Sequence, residues 1–183
     1  LINTGGGGFV ELLGAVTDTG TTVGVALADA DGDGDLDATL VGWFGAANRV
    51  LLNDGTGTFH AAPGALPNHF EDSQHVVAAD FDGDGDVDLV IANDGGGVPE
   101  ANRFYRNDGT GTFLDSSGDL PGPNGRTLSL AAGDFDQDGD LDLLETQFQS
   151  PAPTRLLQND GLGHFTVVAG GVPPLTGYAH RFV

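Results

Sequence analysis

Two short sequences recur along this chain with one shared rhythm, and that rhythm leaves few folds open. The first is an acidic nine-residue stretch, Asp29-Ala30-Asp31-Gly32-Asp33-Gly34-Asp35-Leu36-Asp37. It returns as Asp80-Phe81-Asp82-Gly83-Asp84-Gly85-Asp86-Val87-Asp88 and as Asp134-Phe135-Asp136-Gln137-Asp138-Gly139-Asp140-Leu141-Asp142, with starts 51 and 54 residues apart. The second marker is Asn53-Asp54-Gly55-Thr56-Gly57-Thr58-Phe59, repeated from Asn107 to Phe113 and from Asn159 to Phe165. A degenerate copy, Asn3 to Phe9, opens the chain, and the four copies start 50, 54 and 52 residues apart. A fixed period of this size means a repeat architecture, in which each copy is one supersecondary unit packed on its neighbours.

Each unit reads as four short strands. An apolar run precedes the acidic loop (Val76-Val77-Ala78-Ala79, Leu130-Ala131-Ala132) and another follows it (Leu89-Val90-Ile91-Ala92, Leu141-Asp142-Leu143-Leu144). Both are of strand length and bounded by turn residues. A third strand begins at Arg49, Arg103 and Arg155, and a fourth at Phe59, Phe113 and Phe165. The Asn-Asp-Gly marker between them predicts a tight primed hairpin turn, whose positive φ angles Asp-Gly supplies. No segment offers ten residues of helical periodicity free of Gly or Pro, so helix content should be minimal. Four strands per period of about 50 predict an all-β chain of consecutive four-stranded β-propeller blades.

The blade repeats fall at about 14–65, 66–119 and 120–171, with remnants of flanking blades at both ends. Leu1-Ile2-Asn3 matches Leu51-Leu52-Asn53, the end of a third strand, and Arg181-Phe182-Val183 matches His75-Val76-Val77, part of a first strand. Three blades and two remnants do not close a ring. The expectation is therefore a segment of a longer propeller of about six to eight blades, or a subunit whose open strand edges pair with neighbouring copies into a ring or filament.

The formal charge of −21 sits mostly in the three loops, which hold 15 of the 23 aspartates. Three divalent ions would still leave about −15, a surface that repels nucleic acid and anionic membranes. The six basic residues are all Arg, and Cys and Met are absent. Disulfides and thiolate metal sites are thereby excluded, and the missing Met points to processing or to a piece of something longer. No apolar run approaches the roughly 18 residues of a membrane span, so no membrane insertion is expected.

Five carboxylates on so short a loop repel one another unless a cation sits among them. Calcium takes six to eight oxygens at flexible geometry. In D-x-D-x-D-G-D-x-D the side chains at positions 1, 3 and 5 converge, position 6 turns on Gly, position 7 offers its carbonyl and position 9 a carboxylate. The expected side-chain ligands are Asp29, Asp31, Asp33 and Asp37; Asp80, Asp82, Asp84 and Asp88; and Asp134, Asp136, Asp138 and Asp142. Asp35, Asp86 and Asp140 coordinate through main chain, with carboxylates turned outward. About three Ca2+ are expected. Mg2+ prefers fewer protein ligands, and Zn2+ finds no His or Cys here. An EF-hand needs a bidentate Glu at position 12, where the chain has Leu40, Ile91 and, in the third loop alone, Glu145.

The run Ala79-Asp80-Phe81-Asp82-Gly83-Asp84-Gly85-Asp86-Val87-Asp88-Leu89, followed by Asn102-Arg103-Phe104-Tyr105-Arg106-Asn107-Asp108-Gly109-Thr110-Gly111-Thr112-Phe113, resembles FG-GAP/VCBS-type repeats of the integrin-α-like β-propeller family. The resemblance covers nearly the whole chain and is sharpest over 75–113. It implies calcium in the hairpin between the first and second strands of each blade, with the first strand innermost. It also implies an extracellular or cell-surface module for adhesion, glycan binding or assembly. Its partners would then be a protein or glycan at the cell surface, or neighbouring copies of itself. Ala30 and Gln137 depart from the family's Phe and Gly without removing a ligand.

Outside the loops, Arg49, Arg103 and Arg155 share one repeat position and are expected to pair with carboxylates of their own or an adjacent blade. His60, His69, His75, His164 and His180 share no metal spacing. No nucleophile motif or phosphate-binding Gly loop occurs, so no enzyme activity is expected. The loops between second and third strands vary most, and such loops carry binding residues when a rigid scaffold holds them. Trp43, with Phe44 beside it, is the candidate contact there, although burial between blades is the plainer fate for both.

Overall fold

The computed structural model describes residues 2–6, 8–10, 20–97, 100–122, 126–148 and 154–170. A two-stranded hairpin, β1 (Ile2–Gly5) and β2 (Gly8–Val10), comes first. Three four-stranded sheets follow. They are β3 (Thr22–Ala28), β4 (Asp37–Gly42), β5 (Arg49–Asn53) and β6 (Phe59–Ala61); β7 (Ser73–Ala79), β8 (Asp88–Asn93), β9 (Arg103–Asn107) and β10 (Phe113–Asp115); and β11 (Arg126–Gly133), β12 (Asp142–Phe148), β13 (Arg155–Asn159) and β14 (Phe165–Val167). Every sheet is an antiparallel meander in chain order, so the chain forms consecutive four-stranded blades. Among the described residues helix is limited to two single 3-10 turns, Gly95–Gly97 and Ser117–Asp119.

Registers repeat with the sequence. Asn53 pairs with Phe59, Asn107 with Phe113 and Asn159 with Phe165, and the opening remnant pairs Asn3 with Phe9 in the same way. Each first strand carries a register shift at the same place, between Thr22 and Gly24, Ser73 and His75, and Thr127 and Ser129. Arg181-Phe182-Val183 and His180 lie outside the described residues.

The third-to-fourth-strand turn corrects one expectation. It is a five-residue loop, 54–58, closed by Asp54 N–H donating to the Thr58 carbonyl at 3.1 Å. Positive φ falls at both glycines, Gly55 (77°) and Gly57 (85°), and not at the Asp that a two-residue primed turn would require. Asp54 works through its carboxylate instead, accepting from the Thr56 N–H (2.9 Å) and the Thr56 hydroxyl (2.6 Å), which is an Asx turn.

The two larger clusters of core residues lie between blades, while Ala38, Leu40 and Leu51 pack with Phe59 inside the first blade. Val41 and Val50 of the first blade pack with Val76, Leu89, Ile91, Tyr105 and Phe113 of the second. Phe81, Val90 and Phe104 of the second pack with Leu130, Leu143, Leu157 and Phe165 of the third. Phe81, Phe104 and Phe165 meet edge to face, with centroids 5.7–6.1 Å apart, an arrangement that adds to simple area burial. The first strands β3, β7 and β11 run side by side, so each seam begins at the inner edge. On β3 a row facing away from the second blade stays open: Val25 is 58% and Leu27 59% exposed. The repeat equivalents of Val25, Val76 and Leu130, are buried against a preceding blade.

Candidate metal centres

Each acidic loop joins the first and second strands of its blade and is pulled tight by its own backbone. Asp29 accepts from the N–H groups of Gly32 (2.9 Å) and Gly34 (3.0 Å), and Asp80 accepts from Gly83 (2.8 Å) and Gly85 (3.0 Å). Asp33 and Asp84 accept from the N–H two residues on, both at 2.9 Å, as Asp138 does at 3.0 Å. These bonds fold the loop so that alternate carboxylates face one another. In the third loop the donor to Asp134 Oδ1 is Asp138 N–H, at 3.2 Å. Gln137, at φ 65°, stands where the other loops have Gly32 and Gly83.

The result is three groups of carboxylates with oxygens all within 4.8 Å of one another: Asp29, Asp31 and Asp33; Asp80, Asp82 and Asp88; Asp134, Asp136 and Asp142. These donors are hard oxygens in the pattern calcium favours, and among the described residues such groups contain no His. The position-9 residues Asp37, Asp88 and Asp142 are buried. Each also braces the hairpin: Oδ2 accepts from the position-2 N–H (2.8, 3.1 and 3.0 Å) and Oδ1 from the Asn N–H that opens the next turn (2.8, 2.9 and 2.9 Å). The position-7 carboxylates of Asp35, Asp86 and Asp140 lie over the turn glycines. A Cβ on Gly109 would come 2.6 Å from Asp86 Oδ2, so close approach as well as positive φ keeps that residue Gly.

Without a cation the loops are electrostatically frustrated. Burial, followed by the neighbouring carboxylates Asp33, Asp84 and Asp138, raises Asp31, Asp82 and Asp136 above the usual carboxylate range. Burial pushes Asp88 up to about 6, despite the two backbone donors that favour its ionised form. Desolvation and like-charge crowding both favour the neutral carboxyl, and a bound divalent ion reverses both effects.

Several residues around the loops escaped notice in the sequence. Arg106 Nε lies 3.7 Å from Asp82 Oδ2, and the same guanidinium donates to the Leu162 carbonyl at 2.7 Å. Gln158, at the equivalent repeat position, donates to Asp136. Asn107 and Asn159 reach into the loop of the preceding blade, donating to the Ala30 carbonyl at 2.8 Å and the Phe81 carbonyl at 2.7 Å. The available signal was the Asn that opens every copy of the second marker.

The other sequence candidates divide. Arg103 pairs with Glu71, and Arg155 Nε lies 3.5 Å from Glu145 Oε2, as expected of carboxylate partners. Arg49 donates to the Thr22 hydroxyl at 3.0 Å. Glu145, the one glutamate at EF-hand position 12, is buried on β12 and accepts from Asn102 of the second blade at 2.7 Å. It serves a seam between blades. Trp43 and Phe44 stack with centroids 4.3 Å apart on the β4–β5 loop, and are 37% and 78% exposed rather than buried between blades.

Comparison with known sequences adds the family. The model of the FG-GAP-like repeat matches residues 38–91 and again 80–145. The chain belongs to this family. The first FG-GAP-like match contains the whole 80–88 acidic loop, and the second contains the 80–88 and 134–142 loops. Cartilage acidic protein 1 of Xenopus tropicalis is 37% identical over 82 residues, which are 42% of this chain and 13% of that protein. This FG-GAP-like chain thus covers 13% of that relative's length. Among solved structures, an Agrocybe aegerita lectin, described for specific recognition of non-reducing terminal N-acetylglucosamine, aligns with a TM-score of 0.48 and 24% identity. That alignment covers 78% of this chain and 36% of the lectin.

Proposed function

We propose that this chain is a calcium-binding β-propeller repeat module of an extracellular protein, serving adhesion or scaffolding rather than catalysis. One observation carries the reading: the same hairpin in each of three blades gathers carboxylate oxygens within 4.8 Å of one another. Asp29, Asp31, Asp33 and Asp37 would hold the first ion. Asp80, Asp82, Asp84 and Asp88 would hold the second, and Asp134, Asp136, Asp138 and Asp142 the third. Bound there, calcium neutralises the crowded carboxylates and ties the first strand of each blade to the second. Binding is then coupled to folding, because the crowded carboxylates repel one another until the ion neutralises them. Calorimetric titration should give about three calcium ions per chain, and chelator should lower the melting temperature by well over 5 °C. Unchanged melting after complete calcium removal would refute the reading.

The exposed Trp43–Phe44 stack favours a second reading, a glycan-binding module. Aromatic faces take the apolar face of a sugar ring, and the neighbouring Gly45 N–H is bonded to Asp72 Oδ1 at 3.1 Å, which steadies the loop. A net negative surface restricts ligands to neutral or cationic sugars. On a glycan array, binding lost in Trp43→Ala with folding intact would support this reading. A blank array for the wild type would dismiss it.

A further inference from the structure

The side chain of Asn107 spends both of its amide hydrogens on acidic loops, and on two different ones. It donates to the Ala30 carbonyl in the first loop at 2.8 Å and to the Val87 carbonyl in the second at 3.1 Å. Asn159 does the same one blade on, to Phe81 at 2.7 Å and Leu141 at 3.1 Å. Both side chains are buried. The backbone N–H of each also holds the position-9 carboxylate of its own loop, Asp88 or Asp142, at 2.9 Å. The carboxamide oxygens are fixed by Gly109 N–H at 3.2 Å and Gly163 N–H at 3.1 Å, which orients the amide.

The peptides touched are not peripheral. Ala30 lies between Asp29 and Asp31, and its N–H braces Asp37; Phe81 lies between Asp80 and Asp82, and its N–H braces Asp88. One asparagine, through its side chain and its own backbone N–H, thus connects the middle of one carboxylate group with the position-9 carboxylate of the next. We infer that Asn107 and Asn159 couple calcium binding between successive loops, so that an ion in one blade raises the affinity of its neighbour. The inference rests on the calcium reading above. An ion that fixes the 29–31 backbone holds the carbonyl that positions Asn107, and Asn107 in turn holds Asp88. The ordering cost at the second loop is then already partly met when its ion arrives. Coupling of this kind is reciprocal. It links the first loop with the second and the second with the third. The first and third loops share no asparagine and respond to each other only through the second.

The test is a calcium titration of the full chain by heteronuclear NMR, following the amides of Gly34, Gly85 and Gly139 as reporters of the three loops. In the wild type, disabling the second loop with Asp82→Asn and Asp84→Asn should weaken binding at both remaining loops by roughly 5-fold or more. Asn107→Ala should abolish that dependence for the first loop and leave it for the third, and Asn159→Ala should do the reverse. If Asn107→Ala does not fold, Asn159→Ala alone decides, since a merely structural side chain would alter all sites without this directional pattern. Three wild-type loops that titrate independently would overturn the inference and leave the calcium reading standing. No calcium uptake by the wild type would remove both.

Discussion

Gln137 occupies a left-handed backbone position, at φ 65°, which Gly32 and Gly83 fill in the other loops. A side chain there costs about 1–2 kcal/mol, partly offset because glycine has more freedom to lose on folding. Gln137→Gly should therefore stabilise the third blade by about 1 kcal/mol. Denaturation at saturating calcium measures it, and an unchanged or lower midpoint would contradict the strain. The substitution should also let residue 137 donate to Asp134 as Gly32 and Gly83 do to Asp29 and Asp80. Ala30 is a milder departure. Its place between the first two blades is completed by Ala62, Ala65 and Leu66, which pack into the same cluster.

At the scale of strands and hairpins, the sequence was most legible where turn chemistry recurs. The strand boundaries read beside the second and third acidic loops and beside the Asn-Asp-Gly turns fall within one residue of the observed ones, because those residues can do little except turn. The five-residue loop was misjudged because Asp-Gly also occurs in two-residue turns, and only the Thr56 and Thr58 contacts decide between them. The asparagine bridges were illegible for another reason: their partners lie 77 and 78 residues away, and nothing local marks such a bond. Phe81 illustrates a side chain whose role the pattern implied without its magnitude. It joins an edge-to-face trio drawn from two blades. Phe81→Ala should cost about 3–5 kcal/mol, read by chemical denaturation of the calcium-loaded protein. A loss below about 1 kcal/mol would mean the seam can collapse around the gap.

For the molecule as a whole, the exposed row on β3 is the feature that asks for a neighbour. Val25 stands where the other blades bury Val76 or Leu130 toward a preceding blade, and Leu27 stands where the second blade half-buries Ala78. If copies of this chain associate through that face, light scattering should show a mass above 18.6 kDa that falls in Val25→Ser/Leu27→Ser. A monodisperse 18.6 kDa particle at high concentration would argue against assembly. The seams themselves have a further consequence. Each is made between blades adjacent in sequence, and the second and third blades each carry the asparagine that grips the loop before it. Duplicating one such segment of DNA would therefore supply a new blade together with both of its joints. A protein built this way can lengthen by copying alone, with no second mutation needed to make the addition fit.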